Sequence, residues 1–460
     1  MSKDRQKNTS ASDPQVQDLN KLEQPIQTRN GIGIDLTKTP RIALPWSKSV
    51  IWTSRMLAAL KTGVKGDQWF SLIDKTYSMR ALEEAFEAVR ANKGAAGIDK
   101  QTIKGFEHNR EENLRRIARK LEDGSYRPQA VKRVWIDKPG SSDKRPLGIP
   151  TVSDRIVQSA LRATMEPIFE QTFACHSYGF RPGKGCKDAL SRVQDLIKRG
   201  YLHVVDADLK SYFDTIDHDL LMEHVKAKIS DGRLLALVEC FLKNGIMEDM
   251  KYWEPEEGTP QGGVISPLLS NIFLNPLDHL MEKSGFEMVR YADDFVILCR
   301  TEDQARQALE TVTHWVTGNK LKLHPEKTRL VELGGREGFD FLGYHFTINN
   351  RWPRDKSMKK IKDTVRKKTK RTNGHCMNAI IANLNRSLVG WFQYFKHSNK
   401  TTMRTLDGYI RGRLRSILRK RRKRKGRGRG TDHNRWKNVY FDKLGLYSLV
   451  NARAELCRSA

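Results

Sequence analysis

Two adjacent carboxylates, Asp293 and Asp294, lie between two runs of strand-forming residues, 288–291 and 295–298. Such runs, meeting at so short a segment, predict a β-hairpin with the two acids at its tip. Two carboxylates about 4 Å apart repel by roughly 4 kcal/mol at an effective dielectric constant of about 20. The pair therefore favours a bound cation, although adjacent acids in a turn are more often ordinary solvated turn residues.

A further acid, Asp208, stands in similar surroundings earlier in the chain, at the end of a short apolar strand that a helix-like stretch follows. Mg²⁺ requires hard oxygen ligands and leaves coordination positions open for phosphate oxygens and water. Two such ions about 3.5–4 Å apart can activate an attacking 3′-hydroxyl and stabilise a leaving pyrophosphate. Acids on two separate strands therefore suit the chemistry of nucleotide addition.

The hairpin segment Tyr291-Ala292-Asp293-Asp294 resembles the signature of reverse transcriptases, and its neighbours resemble those of group II intron-encoded proteins. Six further blocks follow the order of that family: NKGAAGID (92–99), RPLGIPT (145–151), SYGFRP (177–182), GTPQGGVISPL (258–268), LHPEKT (323–328) and FDFLGY (339–344). The resemblance covers most of the chain. It is to the bacterial group II intron-encoded reverse transcriptase/maturase of the endonuclease-lacking type.

The resemblance implies an α+β fold of the right-hand polymerase type. Fingers and palm with an antiparallel sheet and the YADD hairpin would be followed by a helical thumb and a basic C-terminal tail. The expected domains are a polar N-terminal extension (1–67), fingers and palm (68–348), a thumb or maturase region (349–425) and a short basic DNA-binding tail (426–460). Helical spacing of apolar residues over 81–89 and 114–121 indicates helices in the fingers.

The family also implies the function of an RNA-directed DNA polymerase. Asp208, Asp293 and Asp294 would be catalytic residues and ligands of two Mg²⁺ ions, for which Mn²⁺ can substitute. Lys327 resembles a lysine that contacts the nucleotide phosphates and protonates the leaving pyrophosphate, although a lone lysine at this position is equally typical of a solvated charge.

Four further residues are implied to bind the nucleotide. Lys138 and Arg145 flank a basic loop that resembles the fingers loop, where they would meet the triphosphate as charge-assisted donors. A basic loop between strands is also typical of a solvated tip. Phe213 follows Asp208 at the position where the family has an aromatic residue that excludes a 2′-hydroxyl by its bulk. The alternative is that Phe213 is a core residue of an amphipathic helix. Gln261 would face the nascent base pair.

Binding of nucleic acid is indicated by composition as well as by resemblance. The formal net charge of +29 and a pI near 9.9 suit a polyanionic partner. Arg181 is expected at the template backbone, where it contributes affinity and not sequence choice. An apolar helical stripe from Ile380 to Phe395 predicts a thumb helix, and the basic run 411–429 repels itself, so it is expected to be ordered mainly by a polyanion.

The expected partners are a structured intron RNA, an RNA template, a DNA primer or target and dNTPs. The sequence does not indicate an oligomeric state. The six cysteines form no CxxC pair, which argues against a zinc site and a disulfide framework. No apolar run approaches the roughly eighteen residues of a membrane span. We therefore expect no membrane partner, and we expect a cytoplasmic location.

Alternatives to the full activity remain open at this stage. About thirty residues follow Gly430, without the cysteine pairs and histidines of the family's endonuclease domain, so the chain is expected to lack that activity. The family role is assistance in splicing and mobility by target-primed or fork-primed reverse transcription. The alternatives are a splicing-only maturase, against which the intact acids argue, and a host-adapted reverse transcriptase in phage defence or DNA repair.

Overall fold

The computed structural model describes residues 51–137, 144–248, 251–253, 257–259, 262–334, 337–426 and 430–458. The elements up to the first strand pair are α1 (Ser54–Thr62), a 3-10 helix (Lys65–Asp67), α2 (Ile73–Tyr77), α3 (Met79–Asn92), α4 (Ile103–His108), α5 (Arg110–Glu122), β1 (Val131–Asp137) and β2 (Lys144–Ile149). Those that follow, as far as the third sheet, are α6 (Val152–Glu170), α7 (Cys186–Lys198), β3 (His203–Asp208), a second 3-10 helix (Tyr212–Asp214), α8 (His218–Lys226), α9 (Gly232–Leu242), β4 (Ile246–Glu248), β5 (Lys251–Trp253), α10 (Ser266–Lys283), β6 (Glu287–Tyr291), β7 (Asp294–Cys299), α11 (Glu302–Gly318) and β8 (Arg329–Glu332). The last are β9 (Phe339–Phe341), β10 (Tyr344–Phe346), β11 (Arg351–Pro353), α12 (Asp355–Lys368), α13 (Met377–Phe395), α14 (Lys400–Arg421), α15 (Thr431–Arg435), α16 (Asn438–Lys443) and α17 (Leu449–Arg458).

The first helices bury one apolar side each, as their three- and four-residue spacing predicts. Helix α3 buries Leu82 and Phe86, and α5 buries Leu114 and Ile117. The two helices predicted in the fingers are therefore confirmed.

Trp52 joins the core that these helices share with α6. It is buried, its Nε1 donates to the carbonyl of Ala163 at 3.2 Å, and its ring lies edge-on to Trp69 with centroids 5.2 Å apart. The predicted N-terminal extension (1–67) lies largely outside the described residues. Its last part belongs to the fingers core, so the boundary after residue 67 does not coincide with the packing.

A mixed four-stranded sheet in the order β2-β1-β4-β5 forms the fingers. Strands β1 and β2 are antiparallel, with Lys132 opposite Ile149, whereas β1 and β4 run parallel from Val131 and Ile246. The sheet continues into α6, whose N-cap Thr151 follows β2 almost at once. The loop between β1 and β2, which the sequence singles out as basic, lies outside the described residues.

The palm sheet is antiparallel throughout, in the order β6-β7-β3-β8. Because side chains alternate along a strand, Val205 of β3 and Ile297 of β7 pack into the core that α10 and α11 share. Val204 and Val296, on the other face, pack into a second core with the sheet β11-β10-β9. The expected α+β architecture with an antiparallel sheet and a hairpin at residues 291–294 is confirmed.

A third hydrophobic core holds the thumb helices together. Apolar residues of α12, α13 and α14 meet in it, among them Val365, Leu384 and Leu414. The stripe predicted from Ile380 to Phe395 forms α13, and its apolar side is buried. The helical thumb predicted after residue 349 is therefore observed.

Residues 430–458 differ from the predicted separate tail. Trp436, Phe441 and Leu449 are buried in the same core as α12–α14. The Asp407 carboxylate on α14 accepts hydrogen bonds from the backbone N–H groups of Leu449 and Val450, at 3.2 and 3.3 Å. These short helices therefore share the thumb core, and the separate tail from residue 426 stays a prediction.

The helices of residues 51–458 that the structure describes include none with the length and apolar character to cross a membrane.

Candidate active site

Three acids meet at one end of the palm sheet. Asp208 ends β3, and Asp294, which begins β7, lies directly opposite it in the strand register. Asp293 occupies the turn between β6 and β7, next to Ala292 with a φ of 61°. This positive φ turns the chain sharply enough that both acids of the pair stay at the edge of the sheet. The structure thus brings the three predicted carboxylates together.

Asp294 is the most strongly perturbed of the described acids at this edge. Burial, reinforced by the neighbouring charges of Asp293, Asp206 and Asp208, raises the pKa of Asp294 to about 7. The carboxylates therefore resist simultaneous ionisation in the absence of a cation. This electrostatic strain is the property that a divalent metal ion would relieve.

Asp206 is a fourth acid at the site, which sequence reasoning did not single out. Burial raises the pKa of Asp206, while the Arg329 guanidinium opposes this shift by donating a hydrogen bond from Nε at 3.2 Å. Its spacing of two residues from Asp208 was the available signal, since such residues share one face of a strand.

The donor set fits magnesium chemistry. Mg²⁺ is usually held by one or two carboxylates together with waters and substrate phosphates, and Asp208 and Asp293 present carboxylates from neighbouring segments. No group of three or more His, Cys, Asp or Glu side chains within the described ranges is arranged to hold a metal ion by itself. A metal ion here would therefore depend on substrate oxygens for the rest of its ligands.

Lys327 reaches the same end of the sheet from the segment between α11 and β8. Its ammonium donates to the Asp208 carboxylate. The segment is attached to the end of β3, because the backbone N–H of His324 donates to the Asp208 carbonyl at 2.7 Å. The predicted lysine and the predicted acid are thus adjacent.

Phe213 lies on the 3-10 helix that follows Asp208. It is half-buried and contacts the ring of Tyr212 edge-on, with centroids 5.3 Å apart. Its carbonyl accepts a hydrogen bond from the N–H of Thr259 at 2.6 Å. A Cβ on Gly258 would lie 2.9 Å from this carbonyl oxygen, so the close approach requires glycine.

The glycine-rich segment also touches the fingers. A Cβ on Gly262, whose φ is 115°, would lie 2.2 Å from the carbonyl oxygen of Gly148 in β2. Gln261 and Lys138 lie outside the described residues. The backbone of Arg145 lies opposite that of Ile136 in the β1–β2 hairpin. The roles of Lys138, Arg145 and Gln261 stay predictions.

Arg181 differs from its predicted place at the template backbone. Its guanidinium is buried, forms an ion pair with Glu170 at 2.7 Å, and donates to the carbonyls of Ala174 and Ser177 at 2.6 and 2.8 Å. It also lies over the ring of Phe173, 5.2 Å from the centroid. In this conformation Arg181 holds the 170–181 turn together, so the expected template contact lacks support from the geometry.

Two family profiles match the chain. The profile described as "Reverse transcriptase (RNA-dependent DNA polymerase)" matches residues 136–346, and "Group II intron, maturase-specific domain" matches residues 358–436. The two matches cover the palm acids and most of the thumb, respectively.

Relatives of known sequence agree with these profiles. Group II intron-encoded protein LtrA of Lactococcus lactis subsp. cremoris is 42% identical over 196 residues, which are 42% of this chain and 32% of LtrA. Protein YkfC of Escherichia coli (strain K12) is 34% identical over 304 residues, which are 57% of this chain and 79% of YkfC. The chain thus spans about a third of the length of LtrA.

Among solved structures, the chain is similar to one from a partial Cas6-RT-Cas1–Cas2 complex, with a TM-score of 0.34 and 23% identity over 54% of this chain and 42% of that one. A TM-score this low carries no argument about function.

Proposed function

The chain belongs to the group II intron-encoded reverse transcriptase/maturase family, and on this premise we propose that it is an RNA-directed DNA polymerase that also binds its intron RNA. The observation that carries the proposal is the register of the palm sheet, which sets Asp208 against Asp294 with Asp293 in the adjoining turn. The proposed reaction adds deoxynucleotides to a DNA primer on an RNA template.

In each addition, the 3′-hydroxyl of the primer releases its proton to solvent and its oxygen attacks the α-phosphorus of a dNTP. The bond between the α-phosphorus and the oxygen that bridges to the β-phosphorus breaks, and pyrophosphate leaves. Two Mg²⁺ ions, with Mn²⁺ as a substitute, would lower the pKa of the 3′-hydroxyl and stabilise the leaving group. Asp208 and Asp293 would hold the ions, and Asp294 would support them from the buried side of the hairpin. Lys327, which contacts Asp208, would donate a proton to the pyrophosphate.

The fingers would bind the incoming nucleotide. Lys138 and Arg145 would contact its phosphates, and Gln261 the nascent base pair. Phe213 would lie beneath its sugar, which its position just after Asp208 supports. The close packing of two nearby glycines supports the same arrangement, because Gly258 lies against the Phe213 backbone and Gly262 against Gly148 of β2.

The thumb would bind the intron RNA. Exposed lysines recur along α12, among them Lys359, Lys360 and Lys367, and the run from 420 to 425 is exposed throughout. These charges suit a phosphate backbone. We infer that binding here assists splicing and that the polymerase serves mobility by target-primed or fork-primed reverse transcription.

The test is extension of a DNA primer on an RNA template with dNTPs and Mg²⁺. The wild-type chain is expected to extend the primer, and Asp208→Asn is expected to abolish extension. Asp303→Asn, which changes an exposed acid in the first turn of α11, is the matched control and should extend normally.

Failure of the wild-type chain to extend any primer, with RNA binding intact, would favour a splicing-only maturase. Normal extension by Asp208→Asn would overturn the site assignment. An intron RNA structure flanking the coding sequence would separate the family role from a host-adapted reverse transcriptase in phage defence or DNA repair.

A further inference from the structure

Arg290 precedes the catalytic hairpin tip but points away from the acids. It lies on β6, and its side chain is fully buried on the opposite face of the palm sheet from Asp294. Its Nε and Nη2 form a two-pronged ion pair with the Asp278 carboxylate on α10, at 2.7 and 2.5 Å. A buried charge is tolerated when it is paired in this way.

The remaining guanidinium donors bind three different segments. Nη1 donates to the side-chain oxygen of Asn271 at 3.0 Å and to the carbonyl of Ala292 at 2.9 Å. Nη2 also donates to Ser177 Oγ at 2.7 Å. A guanidinium has five N–H groups, and with Asp278 these contacts supply five acceptor atoms.

The contacts around Arg290 also involve the 177–179 segment, which lies beside the hairpin turn. The Asn271 amide donates from Nδ2 to the carbonyl of Gly179 at 2.8 Å. A Cβ on Gly179 would lie 2.2 Å from the backbone nitrogen of Ala292. The backbones of Tyr178 and Arg290 are joined by a hydrogen bond of 2.9 Å, so the 177–179 segment runs along the hairpin and touches its tip.

Ala292 has a φ of 61°. For a residue other than glycine this conformation carries a free-energy cost and persists only where the surroundings hold it. Its carbonyl is bound by Arg290, and its nitrogen is packed against Gly179. Both groups converge on the residue that joins Tyr291 to Asp293.

We propose that Arg290, with Asn271 and Ser177, is a positioning residue for the metal-binding carboxylates: it fixes the Ala292 carbonyl and thereby the direction in which Asp293 leaves the turn. This assignment rests on the proposed polymerase function. The residue touches neither substrate nor metal. Its effect on catalysis comes through the placement of Asp293, where an error of about 1 Å can cost on the order of a hundredfold in rate.

The test compares variants that remove different parts of the network with a control on the same helix. Asn271→Ala removes the bonds to Arg290 and Gly179, and Ser177→Ala removes a single acceptor. Ser270→Ala changes a fully buried neighbour whose hydroxyl has no hydrogen-bond partner within the part of the chain that the structure describes. Single-nucleotide addition is measured for kcat, for KM of the dNTP and for the Mg²⁺ concentration at half-maximal rate, with Tm alongside.

We expect Asn271→Ala to lower kcat by about tenfold and to raise the half-saturating Mg²⁺ concentration several-fold, while KM for the dNTP stays within about twofold. Ser177→Ala should show a smaller change in the same direction, and Ser270→Ala should match the wild type. Arg290→Lys, which offers an ammonium in place of the planar fork, should lose more activity than Asn271→Ala.

If Asn271→Ala and Arg290→Lys prevent folding, the Ser177→Ala variant alone provides the test. The proposal is overturned if folded Ser177→Ala and Asn271→Ala keep the wild-type kcat and Mg²⁺ dependence, or if they lose activity only in proportion to the unfolded fraction. An inactive wild-type chain would instead overturn the proposed function, and this assignment with it.

Discussion

Acidic side chains cluster at the palm edge, whereas the buried charges of the thumb are paired within the protein. Asp206, Asp208, Asp293 and Asp294 crowd one end of the palm sheet, where burial and mutual repulsion raise the pKa values of Asp294 and Asp206. This crowding of carboxylates costs electrostatic free energy that packing contacts do not explain. It therefore indicates a site for cations.

In the thumb, each of three buried charges has a partner inside the protein. Asp407 is 3.4 Å from Arg411, and Asp432 is 2.6 Å from Arg419. The guanidinium of Arg415 donates to the Trp436 carbonyl at 2.9 Å. At the palm edge, Lys327 contacts Asp208 and Arg329 contacts Asp206, yet burial and the neighbouring acids still raise the pKa of Asp294. The comparison shows that ion pairs within the protein compensate the thumb charges, whereas the crowded acids of the palm edge still favour a bound cation.

The largest expected effect is at the palm edge. Asp293→Asn should abolish cDNA synthesis while RNA affinity stays within a few-fold, because the carboxylate serves metal chemistry and not RNA affinity. Asp294→Asn should cause a smaller loss of cDNA synthesis, since Asp208 and Asp293 would hold the ions and Asp294 would only support them. Primer extension and RNA filter binding on the same preparations measure both quantities, and equal losses in the two assays would contradict the assignment.

The next effect concerns the exposed basic run of the thumb. Replacing residues 420–425 with glutamine should weaken RNA binding and lower the slope of log K against log salt by roughly 0.7–0.9 for each phosphate that is no longer neutralised. The Tm should fall only slightly, because these side chains are exposed, although Arg421 donates to the His375 carbonyl and Arg422 lies over the Trp436 ring. Arg415→Gln is the matched contrast: it should lower the Tm, because Arg415 is buried against Trp436 and Asn438.

If the slope of log K against log salt is unchanged after the six-residue replacement, residues 420–425 are an ordinary solvated surface. The RNA footprint would then lie in the fingers and on α12.

A smaller effect is expected on sugar selection. Phe213→Val should weaken discrimination against ribonucleotides by about tenfold, or roughly 1.4 kcal/mol of differential transition-state binding. The measurement is the ratio of kcat/KM for a dNTP to that for the matching rNTP. If a folded variant keeps the wild-type ratio, Phe213 is a core residue that packs against Tyr212.

The smallest expected effect is on the pH dependence of metal binding. The pKa of Asp294 is about 7, so this carboxyl is mostly protonated below pH 7 and ionised above it. Because a cation binds the ionised form, affinity for Mg²⁺ should rise by up to about tenfold from pH 6 to pH 8. Asp294→Asn should flatten this dependence, and a dependence that persists in this variant would point to another group.

The sequence predicted the palm well, because its elements depend on local patterns. Two runs of strand-forming residues and the acids between them predicted the hairpin at 291–294, and the spacing of apolar residues predicted α13. The reverse-transcriptase blocks then predicted which acids would meet. None of these inferences required knowledge of a partner distant in the chain.

The features that sequence reasoning missed depend on such partners. Arg181 is paired with Glu170, which no periodic pattern links to it, so its burial could not be predicted. In the sequence, Arg290 is one basic residue in an apolar strand, and all its acceptors except the nearby Ala292 carbonyl come from α10 and from Ser177. These contacts arise only when separate segments pack together.

The basic run 411–429 was predicted to be ordered mainly by a polyanion, and the structure divides it. Arg411, Arg415 and Arg419 recur every four residues on one side of α14 and are held by groups within the thumb. Residues 420–425 are exposed. The four-residue spacing was the available signal, but the density of positive charge concealed it.

The most direct test of the division between palm and thumb is to measure two variants in two assays. Asp208→Asn and the glutamine replacement of residues 420–425 are each assayed for single-nucleotide addition from saturated template–primer complexes and for intron RNA affinity. We expect Asp208→Asn to lose nucleotide addition but keep RNA affinity, whereas the thumb variant should keep nucleotide addition and lose affinity. The division would be contradicted if Asp208→Asn added nucleotides at the wild-type rate, or if both variants lost both activities to the same extent.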